Sequence, residues 1–187
     1  MIFQVSVYAD TLSGMIVLQA YPLATEVTQR KMLDRYEELE EMAQKMGLHV
    51  DEKPLQYNDG RIRGSRVLIR STIPTNRQKA AVLCEEIGHH QTAAGNILDE
   101  KDPWSRKLEQ RGRAWSYDLL IGLSGIVKAA QAGCTSRYEA AELLDVPEDV
   151  LQDAVDYYRG KYGSRAVKEG PFLVRFDPSG VIEVSMA

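Results

Sequence analysis

The sequence predicts an α+β domain. Both ends of the chain carry short runs that favour strands, residues 76–161 carry a series of helical patterns, and a turn-rich stretch at residues 58–70 predicts short paired strands. The chain has 187 residues, of which 44% are apolar and 27% are charged. That size and composition are enough for one globular domain with its own core.

The first strands are expected at the N-terminus. Residues 2–8 and 15–21 are rich in β-branched and aromatic side chains and are separated by a short polar segment. We therefore expect residues 1–24 to form an N-terminal β-hairpin appendage.

The pattern becomes helical after Thr25. Apolar residues then recur every three or four positions, and Gly47 follows as a plausible C-terminal cap. This series comprises Leu33, Tyr36, Leu39, Met42, Ala43 and Met46. An Asn-Asp-Gly turn at residues 58–60 and the alternating run 61–70 then predict a small antiparallel sheet.

Most of the remaining chain is expected to be helical. Pro74 ends the preceding strand, and Thr75 with Gln78 matches a capping box, so a helix should begin near Asn76 and end at Gly95. The further predicted helices cover residues 104–121, 126–132, 136–144 and 148–161. The tail, residues 171–187, is expected to form a β-hairpin around an Asp-Pro-Ser-Gly turn.

Composition argues against several classes of protein. With 23 basic and 27 acidic residues the chain lacks the basic excess of proteins that coat nucleic acid or membranes. Cys84 and Cys134 are too few for a disulfide framework, and the N-terminus makes a poor secretory signal. The longest apolar run, residues 119–127, is far short of the roughly 20 residues of a membrane span. We therefore expect a cytoplasmic protein with no membrane partner.

The segment 84–90, Cys-Glu-Glu-Ile-Gly-His-His, is the most informative part of the sequence. Glu85 and His89 are four residues apart, so they project from the same face of a helix, as the two metal ligands of an HExxH motif do. Glu85 takes the place of the first His, and Glu86 takes the place of the general base. Gly88 leaves room for another element to approach, and His90 points about 100° away, toward the rim of the site.

A third metal ligand would have to come from elsewhere in the chain. Glu109 on the next predicted helix is the first candidate, and Asp99, Glu100 and Asp118 compete with it. In the plainer interpretation, Glu85 and His89 form an ordinary solvated ion pair. Cys84 lies roughly 140° from His89 around the helix, so we interpret it as a small buried thiol and not as a nucleophile.

Residues 36–163 resemble the ImmA/IrrE family of metallopeptidase-like proteins, which are carried by phages, mobile elements and their bacterial hosts. The resemblance rests on the Asp-Gly turn at residues 59–60 and on three segments in order. These are VLCEEIGHHQTAAGNILD, LEQRGRAWSYDLLI and ELLDVPEDVLQDAVDYYRGKYG. The first is similar to a branch of the family in which Glu already replaces the first His of HExxH.

The resemblance implies a zincin-like core at residues 25–123, with residues 124–187 packed on it as C-terminal helices and a hairpin. It implies a zinc site formed by Glu85, His89 and Glu109, with Glu86 as the general base. Two carboxylate ligands would also suit the harder ions Mn and Fe. The family's usual third ligand aligns with Arg111 in this chain, so Glu109 would have to serve in its place.

The resemblance also implies an endopeptidase that acts on a protein partner, typically the helix-turn-helix repressor of a phage or mobile element. The alternative is a catalytically inactive metallopeptidase fold that binds such a partner as a regulator. Residues 135–160 themselves look like a helix-turn-helix, but the second helix begins with Glu148 and Asp149. Those carboxylates would face phosphates, which argues against direct DNA binding.

Overall fold

The computed structural model describes residues 2–6, 33–92 and 103–187, and these residues form an α+β structure, as predicted. In chain order the elements are β1 (Ile2–Ser6), α1 (Arg35–Lys45), β2 (His49–Lys53), β3 (Gly60–Arg63), β4 (Arg66–Arg70), α2 (Asn76–Thr92), α3 (Pro103–Leu120), α4 (Gly122–Gln131), α5 (Arg137–Leu144), α6 (Glu148–Tyr162), β5 (Val167–Glu169), β6 (Phe172–Phe176) and β7 (Val181–Met186).

Helix α1 is closed at both ends by local sequence signals. The Asp34 side chain accepts a hydrogen bond from the Glu37 amide at 2.9 Å, and the Glu37 carboxylate accepts one from the Asp34 amide at 3.0 Å. This reciprocal pair is a capping box. At the other end Gly47 takes a φ of 77°, which ends the helix where the apolar period predicted.

Strands β2, β3 and β4 form a three-stranded sheet in the order β2-β4-β3. The sheet is mixed, whereas the sequence analysis predicted an antiparallel one. Strands β3 and β4 pair antiparallel as a hairpin, but β2 pairs parallel with β4. The reason is topological: the segment after β2 carries the chain to the far side of β4, so β2 and β3 flank β4 in opposite directions. Val67 and Ile69 of β4 are fully buried.

Helix α2 lies at the centre of this half of the molecule and contacts α1, α3, β3 and β4. Its buried side includes Ala80, Leu83 and Ile87. The helix begins at Asn76 as predicted and is described as far as Thr92, so the predicted end at Gly95 lies outside the described residues.

The C-terminal hairpin was predicted correctly. Strands β6 and β7 pair antiparallel, and the Asp177 carboxylate accepts a hydrogen bond from the Ser179 amide in the turn, at 2.7 Å. The hairpin belongs to a four-stranded sheet in the order β1-β7-β6-β5, in which β1 pairs parallel with β7. The expected partner of β1 in an N-terminal hairpin, residues 15–21, lies outside the described residues.

The four-stranded sheet is joined to the helices by an aromatic cluster. Tyr158 of α6 is fully buried and its ring lies 5.9 Å from that of Phe176 in β6. The Tyr158 hydroxyl donates a hydrogen bond to Asp118 of α3 at 2.9 Å. This contact links the C-terminal half to the helix that supplies Glu109.

Helices α5 and α6 form the predicted helix pair, with Asp145 in the left-handed conformation at the turn between them. Arg77 of α2 pairs with Glu142 and, at 2.8 Å, with Asp145. The turn is therefore attached to the start of α2. Among the helices that are described, none has the length and apolar character needed to cross a membrane.

Substituting Phe176→Ala should destabilise the protein by about 3–5 kcal/mol, because it removes a large, fully buried side chain next to Tyr158. Urea unfolding followed by circular dichroism measures the change. The control is Tyr57→Ala: Tyr57 is 90% exposed, so its loss should change the free energy of unfolding by less than about 0.5 kcal/mol. Equal stability of both variants would contradict the packing described for β6.

Candidate metal centre

Glu85 and His89 lie on the side of α2 that faces α3. The neighbouring positions Leu83, Cys84 and Ile87 are fully buried, which fixes the rotation of the helix. Glu85 and His89 are left half-buried at the edge of the core. The carboxylate Oε1 of Glu85 lies 3.9 Å from Nε2 of His89, as their spacing predicts.

Helices α2 and α3 approach each other closely at Gly88 and Gly112. A Cβ atom on Gly88 would lie 2.4 Å from the backbone oxygen of Gly112, and one on Gly112 would lie 2.6 Å from Nδ1 of His89. Both distances are shorter than any normal carbon contact, so this crossing requires glycine at both positions. The room expected at Gly88 is used by α3.

The close crossing brings Glu109 to His89. Glu109 lies about one helical turn before Gly112, and its Oε2 is 3.5 Å from Nε2 of His89. One ligand atom from each of Glu85, His89 and Glu109 lies within 4.8 Å of the others. The first-choice third ligand from the sequence is therefore the one that the fold places beside the pair.

Asp118, the one competing candidate within the described residues, does not join this group. Asp118 lies more than two turns further along α3, where its carboxylate accepts the hydrogen bond from Tyr158. Arg111, the residue that the motif resemblance aligns with a metal ligand, is exposed. Asp99 and Glu100 lie outside the described residues.

Glu86 is half-buried beneath the start of β3. A Cβ on Gly60 would lie 2.8 Å from the Glu86 Oε1 atom, so the strand covers the carboxyl group. Burial, and then the nearby Glu85 carboxylate, raise the pKa of Glu86 to about 7, although a hydrogen bond from the Ile62 backbone acts in the opposite direction. The carboxyl predicted as the general base is thus held in a partly dehydrated position next to the three donors.

His90 and Cys84 occupy different surroundings from His89. His90 is exposed and is not part of the donor group, which agrees with the predicted rim position. Cys84 is fully buried and its thiol donates to the Ser116 carbonyl at 3.7 Å. Burial raises the pKa of Cys84 to about 12, so the sulfur stays a thiol at neutral pH.

One residue of the site, Arg113, was not predicted from the sequence. Its Nε atom lies 2.9 Å from Oε1 of Glu109 and 3.3 Å from Oε1 of Glu85. Partial burial lowers the pKa of Arg113, but the two carboxylates raise it by more, so the guanidinium is firmly charged. The signal was present in the sequence, because Glu109 and Arg113 are four residues apart on one helix.

The three donors suit a divalent transition metal. Two ligands that share an ion at about 2.1 Å lie no more than about 4.2 Å apart, and His89 meets this limit with both Glu85 and Glu109. Two carboxylates and one imidazole are ligands that Zn, Mn and Fe accept. Within the described residues, Glu85, His89 and Glu109 are therefore the group that could hold such an ion.

Comparisons of the chain with protein-family models, curated proteins and solved structures find no match. The resemblance to ImmA/IrrE proteins therefore stays a prediction from the motifs.

Substituting Gly88→Ala should destabilise the protein by about 1–3 kcal/mol, because the new methyl group meets the rigid backbone of Gly112. The matched control is Gly160→Ala in α6, where nothing lies within 4 Å of the added Cβ. That change should be neutral or stabilise the helix by up to about 1 kcal/mol. Thermal and urea unfolding of both variants measure the difference. If Gly88→Ala is as stable as Gly160→Ala, the helices are not in close contact.

Proposed function

We propose that this protein is a metal-dependent endopeptidase-like protein that acts on a protein partner. The observation that carries the proposal is that ligand atoms of Glu85, His89 and Glu109 lie within 4.8 Å of one another. The covered carboxyl of Glu86 belongs to the residue that follows Glu85 on α2. An isolated surface ion pair would account for Glu85 and His89 but not for the third donor or for the burial of Glu86.

Glu86 has the proton-transfer role in this proposal. Its carboxylate accepts a proton from the water that attacks the peptide carbonyl, and it then delivers that proton to the leaving nitrogen. The start of β3 limits the access of bulk water to this carboxyl, and the Ile62 backbone acts to favour its charged form. A bound divalent ion would supply Lewis-acid polarisation of the carbonyl and acidify the water.

The charges and ligand atoms of the three donors also predict the Lewis acidity of the site and its choice of metal. The carboxylates of Glu85 and Glu109 carry a formal charge of −2, which balances a divalent ion, whereas a His-rich site leaves the ion more positive. The site would therefore be a weaker Lewis acid than a His-rich zinc site. It would accept Mn and Fe as well as Zn, because oxygen ligands suit harder ions.

The proposed substrate is a protein, by resemblance a helix-turn-helix repressor of a phage or mobile element. The second candidate function is binding of such a partner without cleavage. Arg113 favours this candidate, since its guanidinium already supplies a positive charge to Glu85 and Glu109. The two functions differ in whether a metal and Glu86 are required.

Purified wild-type protein should carry about one transition-metal ion per chain, and His89→Ala should lose it because the imidazole donor is gone. The neighbouring His90→Ala variant is the matched control and should keep the ion, since His90 is exposed and outside the donor group. Plasma mass spectrometry on untagged protein, before and after incubation with Zn or Mn, gives the metal content. Retention of the ion by His89→Ala would place it elsewhere.

Glu86→Gln should retain the metal but lose cleavage by a factor of at least about 100, because glutamine cannot accept the proton. The control is Glu41→Gln, an exposed carboxylate on α1, which should cleave like the wild type. The substrate to test is a helix-turn-helix repressor encoded beside the gene, and mass spectrometry detects its fragments. Cleavage by Glu86→Gln would rule out the general-base role. A repressor that stays bound to wild type and uncut would support the binding function.

A further inference from the structure

We infer that Arg113 is a built-in cation of the metal centre, which neutralises Glu85 and Glu109 in the metal-free protein and competes with the metal for them. This inference rests on the proposed function, because it concerns the control of that same site. It would raise the metal concentration needed to fill the site above the concentration that the three donors alone would require.

The contacts of the two carboxylates support competition. Oε2 of Glu109 lies 3.5 Å from Nε2 of His89, and Oε1 of Glu109 lies 2.9 Å from Nε of Arg113. For Glu85 the same oxygen, Oε1, lies 3.9 Å from the His89 imidazole and 3.3 Å from the guanidinium. The oxygen of Glu85 that is nearest to His89 is therefore already engaged by Arg113.

A divalent ion and this guanidinium would be close neighbours. An ion about 2.1 Å from Oε1 of Glu85 would lie no more than about 5.4 Å from Nε of Arg113 in its observed position. Like charges at that distance repel, and partial burial strengthens the repulsion. Metal binding thus favours movement of the guanidinium away from the carboxylates.

Arg113 is free to make that movement. Its side chain is 53% exposed, and its partners Glu85 and Glu109 are also partly exposed. A long side chain at the solvent edge can rotate outward without disturbing the core. When no metal is bound, the guanidinium lies again beside the two carboxylates. There it offsets the repulsion between their negative charges, which stabilises the crossing of α2 and α3 at this point.

Arg111 provides an internal contrast. It carries the same charge on the same helix and is exposed, but within the described residues it forms no ion pair with Glu85 or Glu109. Removing either arginine changes the net charge equally, and only Arg113 contacts the donors. A comparison of variants at Arg113 and Arg111 therefore distinguishes local competition for the donors from a general effect of net charge.

The test is titration of the full-length protein with Zn²⁺ alone and with Mn²⁺ alone, by calorimetry, for wild type, Arg113→Leu and Arg111→Leu. Leucine is chosen because it offers no ligand atom. Arg113→Leu should bind metal on the order of tenfold more tightly than wild type, and Arg111→Leu should stay within about threefold of it. Adding His89→Ala to Arg113→Leu should abolish binding, which shows that the same site is measured. Circular dichroism confirms that each variant is folded.

The outcomes separate the inference from the proposed function. If wild type binds one ion and Arg113→Leu binds it equally or more weakly, the inference is wrong while the metal centre stands. Binding by Arg113→Leu but not by wild type would support the inference, with Arg113 holding the site metal-free, and would overturn the proposed metal-dependent activity of the wild-type chain. If no variant binds either ion, both the inference and the metal-dependent function are overturned.

Discussion

The candidate site depends on the close approach of α2 and α3 at Gly88 and Gly112. Glu85 and His89 are neighbours by the geometry of one helix, but Glu109 reaches them only because the two backbones come together without side chains between them. A single methyl group at either glycine would meet backbone or the His89 ring. The third donor, and with it any metal centre, therefore depends on a packing contact and not on a motif.

The surrounding elements hold this crossing in place. Leu83, Cys84 and Ile87 are fully buried and fix the rotation of α2, while Tyr158 anchors α3 through its hydrogen bond to Asp118. On the adjoining face of α2, about 100° around the helix from Glu85, the first residue of β3 covers Glu86. The same helix thus places two donors at a partly exposed edge and a carboxyl in a drier position, which is the division of roles that the proposed hydrolysis would require.

The charges at the site are balanced locally. Glu85 and Glu109 bring two carboxylates close together, and Arg113 lies within ion-pair distance of both. The site is therefore stable as a salt-bridge cluster and also offers the oxygen and nitrogen donors of a metal centre. The competition proposed for Arg113 follows from this overlap, because the carboxylates that could hold a metal already pair with the guanidinium.

The sequence by itself determined the α+β class, the helices and the spacing of Glu85, Glu86 and His89, because caps, periodicity and i to i+4 geometry act over a few residues. Only the tertiary structure decided that Glu109, and not Asp118, lies beside His89, since that depends on how two helices cross. The parallel pairing of β2 with β4 was likewise beyond local patterns, because strand direction depends on the path of the connecting chain. Arg113 combines both situations. Its pairing with Glu109 could be predicted from their spacing on one helix, but its contact with Glu85 depends on how α2 and α3 pack.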